Sequence, residues 1–120
     1  MQTLTGRHVL VVDDESMIRL MLADTLEQNG CLVQEADGGA MALERLAADH
    51  AYDLLVTDIR MPEMDGWTLA ERARELRPDL AVLYVTGYPG DKTRSVAGAE
   101  VLLKPFLGAD LIRAATKLMN

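Results

Sequence analysis

Short, uninterrupted apolar runs, each ending at polar residues, are the feature of this sequence that most restricts its fold. The clearest runs are Val9–Val12, Leu54–Val56 and Ala81–Val85. Continuous rather than alternating apolar residues are typical of strands that are covered on both faces. The runs therefore predict a parallel sheet enclosed between two layers of helices.

Segments with helical spacing separate the strands. Five strands are predicted, over His8–Asp13, Cys31–Ala36, Leu54–Thr57, Ala81–Val85 and Val101–Leu103. The predicted helices cover about Ser16–Gln28, a short stretch after Gly39, a stretch from near Gly66 to Pro78, a weak turn around Lys92–Val96, and about Gly108–Met119. Five strands alternating with five helices predict an α/β fold, a doubly wound parallel sheet with helices on both faces.

The same spacing assigns roles to some apolar side chains. Met17 and Met21 fall within the apolar pattern of the first helix, and Leu76 falls within that of the third, so packing roles are predicted for all three. The link between Thr86 and Lys104 is short and contains Pro89 and glycines, so the fourth helix is predicted to be short or irregular.

Composition restricts the class of protein. The 120 residues suit a single domain, 1–120, and the net charge of −7 argues against a surface built for nucleic acid. No apolar run approaches the ~18–20 residues of a membrane-spanning helix, and no signal peptide is recognisable. Cys31, the single cysteine, cannot form an internal disulfide. A soluble protein of a reducing, cytoplasmic compartment is predicted.

Polar residues stand where the strands end. Asp13 and Asp14 follow the first strand, Asp58 the third, Thr86 the fourth and Lys104 the fifth. Each residue alone has an ordinary role, as a helix cap or a solvated charge. Because ligands of doubly wound sheets bind beyond the carboxyl ends of the strands, the whole set predicts one shared crevice.

Three carboxylates in one crevice require a cation. Each pair at ~4 Å costs on the order of 4 kcal/mol in a partly screened setting. Oxygen ligands suit Mg²⁺, which commonly binds one or two carboxylates and a phosphoryl group. A cation, an ammonium and a hydroxyl together stabilise a transferring phosphoryl group, and a carboxylate is able to accept it as an acyl phosphate.

The motifs of this chain resemble one family over nearly its whole length. They are Val11-Val12-Asp13-Asp14-Glu15, Asp58 followed by Met61-Pro62-Glu63-Met64-Asp65-Gly66, Val85-Thr86-Gly87 and Lys104-Pro105-Phe106. In this order and spacing they resemble the response-regulator receiver domains of two-component signal transduction. The resemblance implies a flavodoxin-like (βα)5 fold with strand order 2-1-3-4-5.

The resemblance also implies a role for each site residue. Asp58 is the expected phosphorylation site, Thr86 binds a phosphoryl oxygen, and Lys104 pairs with the phosphoryl group. The expected Mg²⁺ ligands are Asp14, Asp58, Asp13 as an assisting ligand, and the backbone carbonyl of Arg60. The Lys104–Pro105 peptide bond is expected to be cis.

The implied activity is phosphorelay signalling. The donor is a sensor histidine kinase or a histidine phosphotransfer protein, and the product controls a downstream protein partner. Beyond autocatalytic phosphoryl acceptance and self-dephosphorylation no enzyme activity is expected. Whether the receiver acts alone or as the receiver module of a hybrid kinase stays open, and so does its oligomeric state.

Three other functions compete with this one. An aspartate-nucleophile phosphatase normally has its second aspartate two residues after the nucleophile, whereas Asp13 and Asp14 are adjacent. A flavin-binding module needs a phosphate-binding loop after the first strand, where Asp13-Asp14-Glu15 would repel a phosphate. A pseudo-receiver, which is never phosphorylated, would not need the complete set of site residues.

Several residues fall outside the usual family pattern or near the site. Val101 stands three residues before Lys104-Pro105, where many receivers carry an aromatic ring that moves on switching. Switching through order in the segment Gly87–Ala99 is the resulting hypothesis.

Arg60 and Tyr88 are predicted to influence the kinetics of the phosphoryl group. The remaining predictions are packing for Trp67 and structural or solvated roles for His8 and His50.

Overall fold

The structure is a computed structural model that describes residues 4–49, 51–90 and 92–119, so the prediction for His50 lies outside the described residues. The strands are β1 (His8–Val12), β2 (Leu32–Ala36), β3 (Leu54–Thr57), β4 (Ala81–Thr86) and β5 (Glu100–Leu103). The helices are α1 (Ser16–Gln28), α2 (Gly39–Ala48), α3 (Gly66–Leu76) and α4 (Gly108–Leu118). One 3-10 turn, Lys92–Arg94, follows β4.

All five strands are parallel and lie in the order β2-β1-β3-β4-β5, which confirms the predicted topology. The register brings their carboxyl ends to one edge. Val12 pairs with Thr57 across β1 and β3, and Thr86 pairs with Leu103 across β4 and β5. The residues that follow β1, β3 and β5 therefore emerge beside one another.

Each face of the sheet has its own apolar core. Along β1, Leu10 and Val12 face the core that includes Leu46 of α2 and Leu69 of α3. Val9 and Val11, the intervening residues of β1, face a second core. That core also includes Leu22 and Leu26 of α1 and Leu111 of α4. Because alternate residues of one strand fill two cores, the whole run is apolar.

The fourth of the five predicted helices is expected to be short or irregular, and the 3-10 turn Lys92–Arg94 in its place confirms this. Pro89 restricts the backbone here, and Gly90 and Gly98 adopt left-handed conformations with φ of 64° and 77°. Such residues do not continue an α-helix. Smaller differences are that β1 ends at Val12 and that Cys31, which is buried, precedes β2.

The predicted packing roles of three apolar side chains are wrong. Met17 is 80% exposed, and Met21 and Leu76 are each 45% exposed. Leu22 and Leu26 face the sheet from α1, so Met17 and Met21, one position out of phase, point outward. Leu76 is the last residue of α3. Among the described residues, no helix has the length and apolar character needed to cross a membrane.

Candidate functional site

Asp13 is the buried member of the site. It follows β1 and has no exposed surface, and its N–H donates to the Ala36 carbonyl at 3.3 Å. Its Oδ1 accepts the Glu15 N–H at 2.9 Å, and its Oδ2 lies 3.4 Å from Lys104 Nζ. Burial raises the pKa of Asp13, and the charge of Asp58 adds to this, although the Glu15 N–H and Lys104 act in the opposite direction.

Asp58 follows β3 and is 7% exposed. One carboxylate oxygen, Oδ1, accepts the N–H groups of Ile59 at 2.6 Å and Arg60 at 3.3 Å. The other, Oδ2, lies 3.1 Å from Lys104 Nζ. The backbone therefore fixes one oxygen and turns the other toward the crevice.

Asp14 completes a group of three carboxylates with Asp13 and Asp58. One oxygen from each lies within 4.8 Å of the others, and Asp14 is the exposed member. Three carboxylate oxygens at this spacing, two of them on buried residues, repel one another, and a hard divalent cation bound between them would relieve this repulsion. The residues present could therefore hold a metal ion.

Lys104 joins the last strand to the same group. Its N–H donates to the Thr86 carbonyl at 2.9 Å, and its side chain is 20% exposed. Burial lowers the pKa of Lys104, but the hydrogen bond to Asp58 and the charges of Asp13 and Asp58 outweigh burial, so the pKa is raised. The Lys104–Pro105 peptide is cis, which confirms that prediction.

Thr86 ends β4 beside this lysine and is 1% exposed. Its hydroxyl accepts the Tyr88 N–H at a long 3.3 Å. The structure thus brings five of the predicted side chains to one edge, and Arg60 follows Asp58 there. Their chemical roles stay predictions.

Arg60 and Tyr88 contact each other and both line a cleft of about 550 Å³, which is also lined by Ile59, the residue after Asp58. The guanidinium carbon of Arg60 lies 4.6 Å from the centre of the Tyr88 ring, a cation–π distance. The cleft is also lined by Trp67, which is 5% exposed and packs with its ring centre 4.6 Å from that of Tyr84. The packing role predicted for Trp67 is therefore confirmed.

Gly66 lets the loop after Asp58 return beneath it. A Cβ on Gly66 would collide with the Asp58 carbonyl oxygen, and the Gly66 N–H donates to the Ile59 carbonyl at 2.8 Å. Asp65 caps α3 by accepting the Thr68 N–H at 2.8 Å. The Asp65-Gly66 pair thus shapes the backbone on which Asp58 rests.

Contacts that the sequence did not reveal hold the segment after the 3-10 turn. The buried Tyr84 hydroxyl accepts the Val96 N–H at 3.2 Å, and Arg74 donates to the Ala97 carbonyl at 2.9 Å. Arg94 lies 3.4 Å from Asp65 and 3.2 Å from Glu71. Val101 is half-buried against the core on this side of the sheet.

Arg19 is a further residue that sequence reasoning missed. It donates to the main-chain carbonyl of Asp13, and its position shortly after Asp13-Asp14 is the only sequence signal that could have predicted a role at the site.

His8 begins β1 and contacts the Tyr52 ring edge-on, with ring centres 6.5 Å apart, which agrees with a structural role.

A sheet in the order 2-1-3-4-5 with three carboxylates and a lysine at its carboxyl edge defines the class of receiver domains. The response regulator receiver domain family matches residues 9–116, and the chain belongs to this family. Its relatives include the response regulator receiver protein CpdR of Brucella abortus, 38% identical over 94% of this chain and 97% of that protein. Part of the sensor kinase CckA of the same organism is 39% identical over 69% of this chain, which spans 9% of the kinase.

Solved receiver structures superpose closely. The response regulator receiver protein of Sinorhizobium medicae gives a TM-score of 0.90 at 36% identity, covering 96% of this chain and 95% of that one. The response regulator TrrA of Thermotoga maritima, in complex with Mg²⁺-BeF, gives 0.82 at 29% identity, covering 93% and 98%. The fold and the family are therefore established independently of the site chemistry.

Proposed function

We propose that this chain accepts a phosphoryl group on Asp58 from a phosphorylated histidine and acts as a phosphorylation-controlled interaction switch. The observation that carries this function is the asymmetry of the Asp58 carboxylate. Two backbone N–H groups hold one oxygen, while the other faces Lys104 and the remaining carboxylates. A carboxylate oriented in this way is a nucleophile with a fixed direction of attack.

In the proposed step an Asp58 oxygen attacks phosphorus. An O–P bond forms, the P–N bond to the donor histidine breaks, and its electron pair returns to the imidazole. Lys104 pairs with one phosphoryl oxygen and the Thr86 hydroxyl donates to another. Attack by water later breaks the acyl phosphate and restores Asp58, so the chain catalyses its own modification and is not a turnover enzyme.

Mg²⁺ is the proposed cation. Asp14, Asp58 and the Arg60 carbonyl are its proposed ligands, and Asp13 assists them. When bound, Mg²⁺ supplies positive charge to the phosphoryl oxygens. The spacing of the three carboxylates supports this choice, and so does the Mg²⁺-BeF complex of the Thermotoga relative.

The proposed donor is a sensor histidine kinase or a histidine phosphotransfer protein, acting in the cytoplasm. A donor must dock around the crevice, and exposed apolar side chains flank it. This apolar rim comprises Met17, Leu20, Met21 and Leu107, between 45% and 80% exposed. The first three form one stripe on α1, which begins shortly after Asp14, and Leu107 follows Lys104-Pro105. Clustered exposed apolar residues commonly mark protein interaction sites.

The alternatives make different predictions. An aspartate-nucleophile phosphatase would turn over small phosphate esters, and a pseudo-receiver would bind its partner without gaining a phosphoryl group. Similarity to part of the CckA kinase supports a role within a hybrid kinase, and similarity to nearly the whole of CpdR supports a stand-alone role. The downstream partner is proposed as a protein.

Transfer of labelled phosphate from a panel of phosphorylated histidine proteins tests the function. We expect transfer to the wild-type chain, none to Asp58→Asn, and slower transfer to Met17→Ser from the protein donors alone. Acetyl phosphate, which needs no docking, should phosphorylate Met17→Ser at the wild-type rate. Absence of transfer from every protein donor would overturn the proposal.

A further inference from the structure

Arg19 is a largely buried cation that touches no carboxylate of the site. Its side chain is 20% exposed and lies on α1, which follows Asp13-Asp14. Its Nη1 donates to the Asp13 carbonyl at 2.8 Å, and its Nε donates to Glu35 Oε1 at 3.1 Å. Burial of a guanidinium is costly unless its donors are used, so these two partners indicate what the side chain holds.

The carbonyl that Arg19 holds belongs to the peptide that joins Asp13 to Asp14. The other polar groups of Asp13 are bonded as well, its N–H to Ala36 and its carboxylate to the Glu15 N–H and Lys104. With Arg19 on the carbonyl, this peptide plane is fixed. The plane sets the direction in which the exposed Asp14 side chain leaves the backbone.

Glu35 fixes the guanidinium from the neighbouring strand. It lies on β2, opposite Val11 of β1. The negative charge of Glu35 offsets the positive charge of Arg19, so the pair adds little net repulsion to a cation bound nearby. Two donors of one planar fork reach the carbonyl and the carboxylate together, a geometry that lysine does not reproduce.

We infer that Arg19 is a positioning residue for the cation site. By orienting the peptide between Asp13 and Asp14, it aims both carboxylates at one ion. The inference rests on the proposed function in that Mg²⁺ is the ion. It concerns metal binding, however, and needs no phosphoryl transfer. Removal of a partner that orients a metal ligand typically weakens binding about tenfold or more.

Calorimetric titration with Mg²⁺ alone, without any phosphodonor, tests the inference on Arg19→Lys and Arg19→Gln. Both variants should bind Mg²⁺ more weakly than the wild type, Arg19→Gln by about tenfold. If Arg19 acted only through its charge, Arg19→Gln would bind more tightly and Arg19→Lys would be unchanged. If its role were only structural, the unfolding midpoint would fall and the Mg²⁺ affinity would stay. Either result overturns the inference.

Arg113→Lys is the matched control, because Arg113 is 74% exposed and pairs with Asp110 within α4. Its affinity for Mg²⁺ should equal that of the wild type. If Arg19→Gln does not fold, Arg19→Lys decides by itself, since only the positioning role weakens its binding. A wild-type chain that binds no Mg²⁺ overturns the inference. A chain that binds Mg²⁺ but accepts no phosphate overturns the proposed function and leaves the titration decisive for Arg19.

Discussion

The ammonium nitrogen of Lys104 lies 3.1 Å from an Asp58 carboxylate oxygen, although 46 positions separate the two residues in the sequence. The same nitrogen lies 3.4 Å from Asp13. One lysine therefore neutralises part of the acidic group in the unphosphorylated chain. Because a phosphoryl group on Asp58 would occupy this side of the carboxylate, the lysine must exchange a carboxylate partner for a phosphoryl oxygen.

Replacement of Lys104 by Met should have opposite effects on metal binding and on phosphorylation. Loss of a nearby positive charge should tighten Mg²⁺ binding about fivefold or more, because two unit charges ~4 Å apart repel by about 1 kcal/mol even in water. Loss of a donor to the phosphoryl group should slow phosphorylation about a hundredfold. Calorimetry and phosphorylation kinetics measure the two effects, with Lys117→Met, on an exposed residue, as control. Weaker Mg²⁺ binding in Lys104→Met would contradict this prediction.

The contact between Arg60 and Tyr88 should slow the loss of the phosphoryl group. Their side chains form a cation–π pair that lines the cleft next to Ile59, the residue after Asp58, and we expect this pair to hinder the approach of water to a phosphoryl group on Asp58. We expect Arg60→Ala and Tyr88→Ala each to dephosphorylate several-fold faster than the wild type in a label-decay measurement. Arg72→Ala, on the far side of α3, should decay at the wild-type rate. Unchanged decay in both site variants would refute the kinetic role.

The hydroxyl of Tyr84 should couple the site to the segment after the 3-10 turn. Tyr84 and Thr86 lie on the same face of β4, and the Val96 N–H donates to Tyr84. Since one hydrogen bond contributes about 1 kcal/mol, Tyr84→Phe should speed hydrogen exchange of the Val96 amide roughly fivefold.

Mg²⁺ with beryllium fluoride, which stands in for the phosphoryl group, should also change exchange across residues 92–99 of the wild-type chain. Tyr52→Phe is the control, because that buried tyrosine precedes β3 and so lies at the amino ends of the strands, away from the site. Its exchange over residues 92–99 should match that of the wild type. Unchanged protection with and without the mimic would contradict the proposed route of switching.

Asp65 should stabilise the fold in a pH-dependent way. Burial raises its pKa, but hydrogen bonds from Thr68 and the charge of Arg94 outweigh burial, so the pKa lies below the ordinary 3.8. A lowered pKa gives stability that is present above pH 3.8 and is lost as pH falls through the folded value. Asp65→Ala should cost about 1 kcal/mol in urea unfolding at neutral pH, and Asp65→Asn, which still caps α3, less.

The difference between wild type and Asp65→Ala should shrink when the same unfolding is measured below pH 3.8. Asp79→Ala is the control, because the Asp79 side chain is 83% exposed. A difference that stayed constant with pH would show that the carboxylate charge of Asp65 does not contribute.

The parallel sheet and its shared edge could be predicted, because continuous apolar runs indicate strands buried on both faces and parallel strands end at the same edge. Asp13, Asp58 and Lys104 meet for that reason alone. The strand order was implied by the resemblance to receiver domains. The outward direction of Met17 could not be predicted, since a change of one residue turns a helical side chain by about 100°. Arg94 contacts Asp65 across 29 positions, and nothing in the local sequence separates it from any other surface arginine.

Intact-mass measurement of the chain after incubation with Mg²⁺ and phosphorylated histidine proteins tests the central claim most directly. We predict a mass gain of one phosphoryl group in the wild type and in Asp24→Asn, a control on the exposed face of α1, and no gain in Asp58→Asn. Removal of Mg²⁺ by a chelator should abolish the gain in the wild type. An equal gain in Asp58→Asn, or no gain in the wild type with any donor, would contradict the assignment of Asp58 as the phosphoryl acceptor.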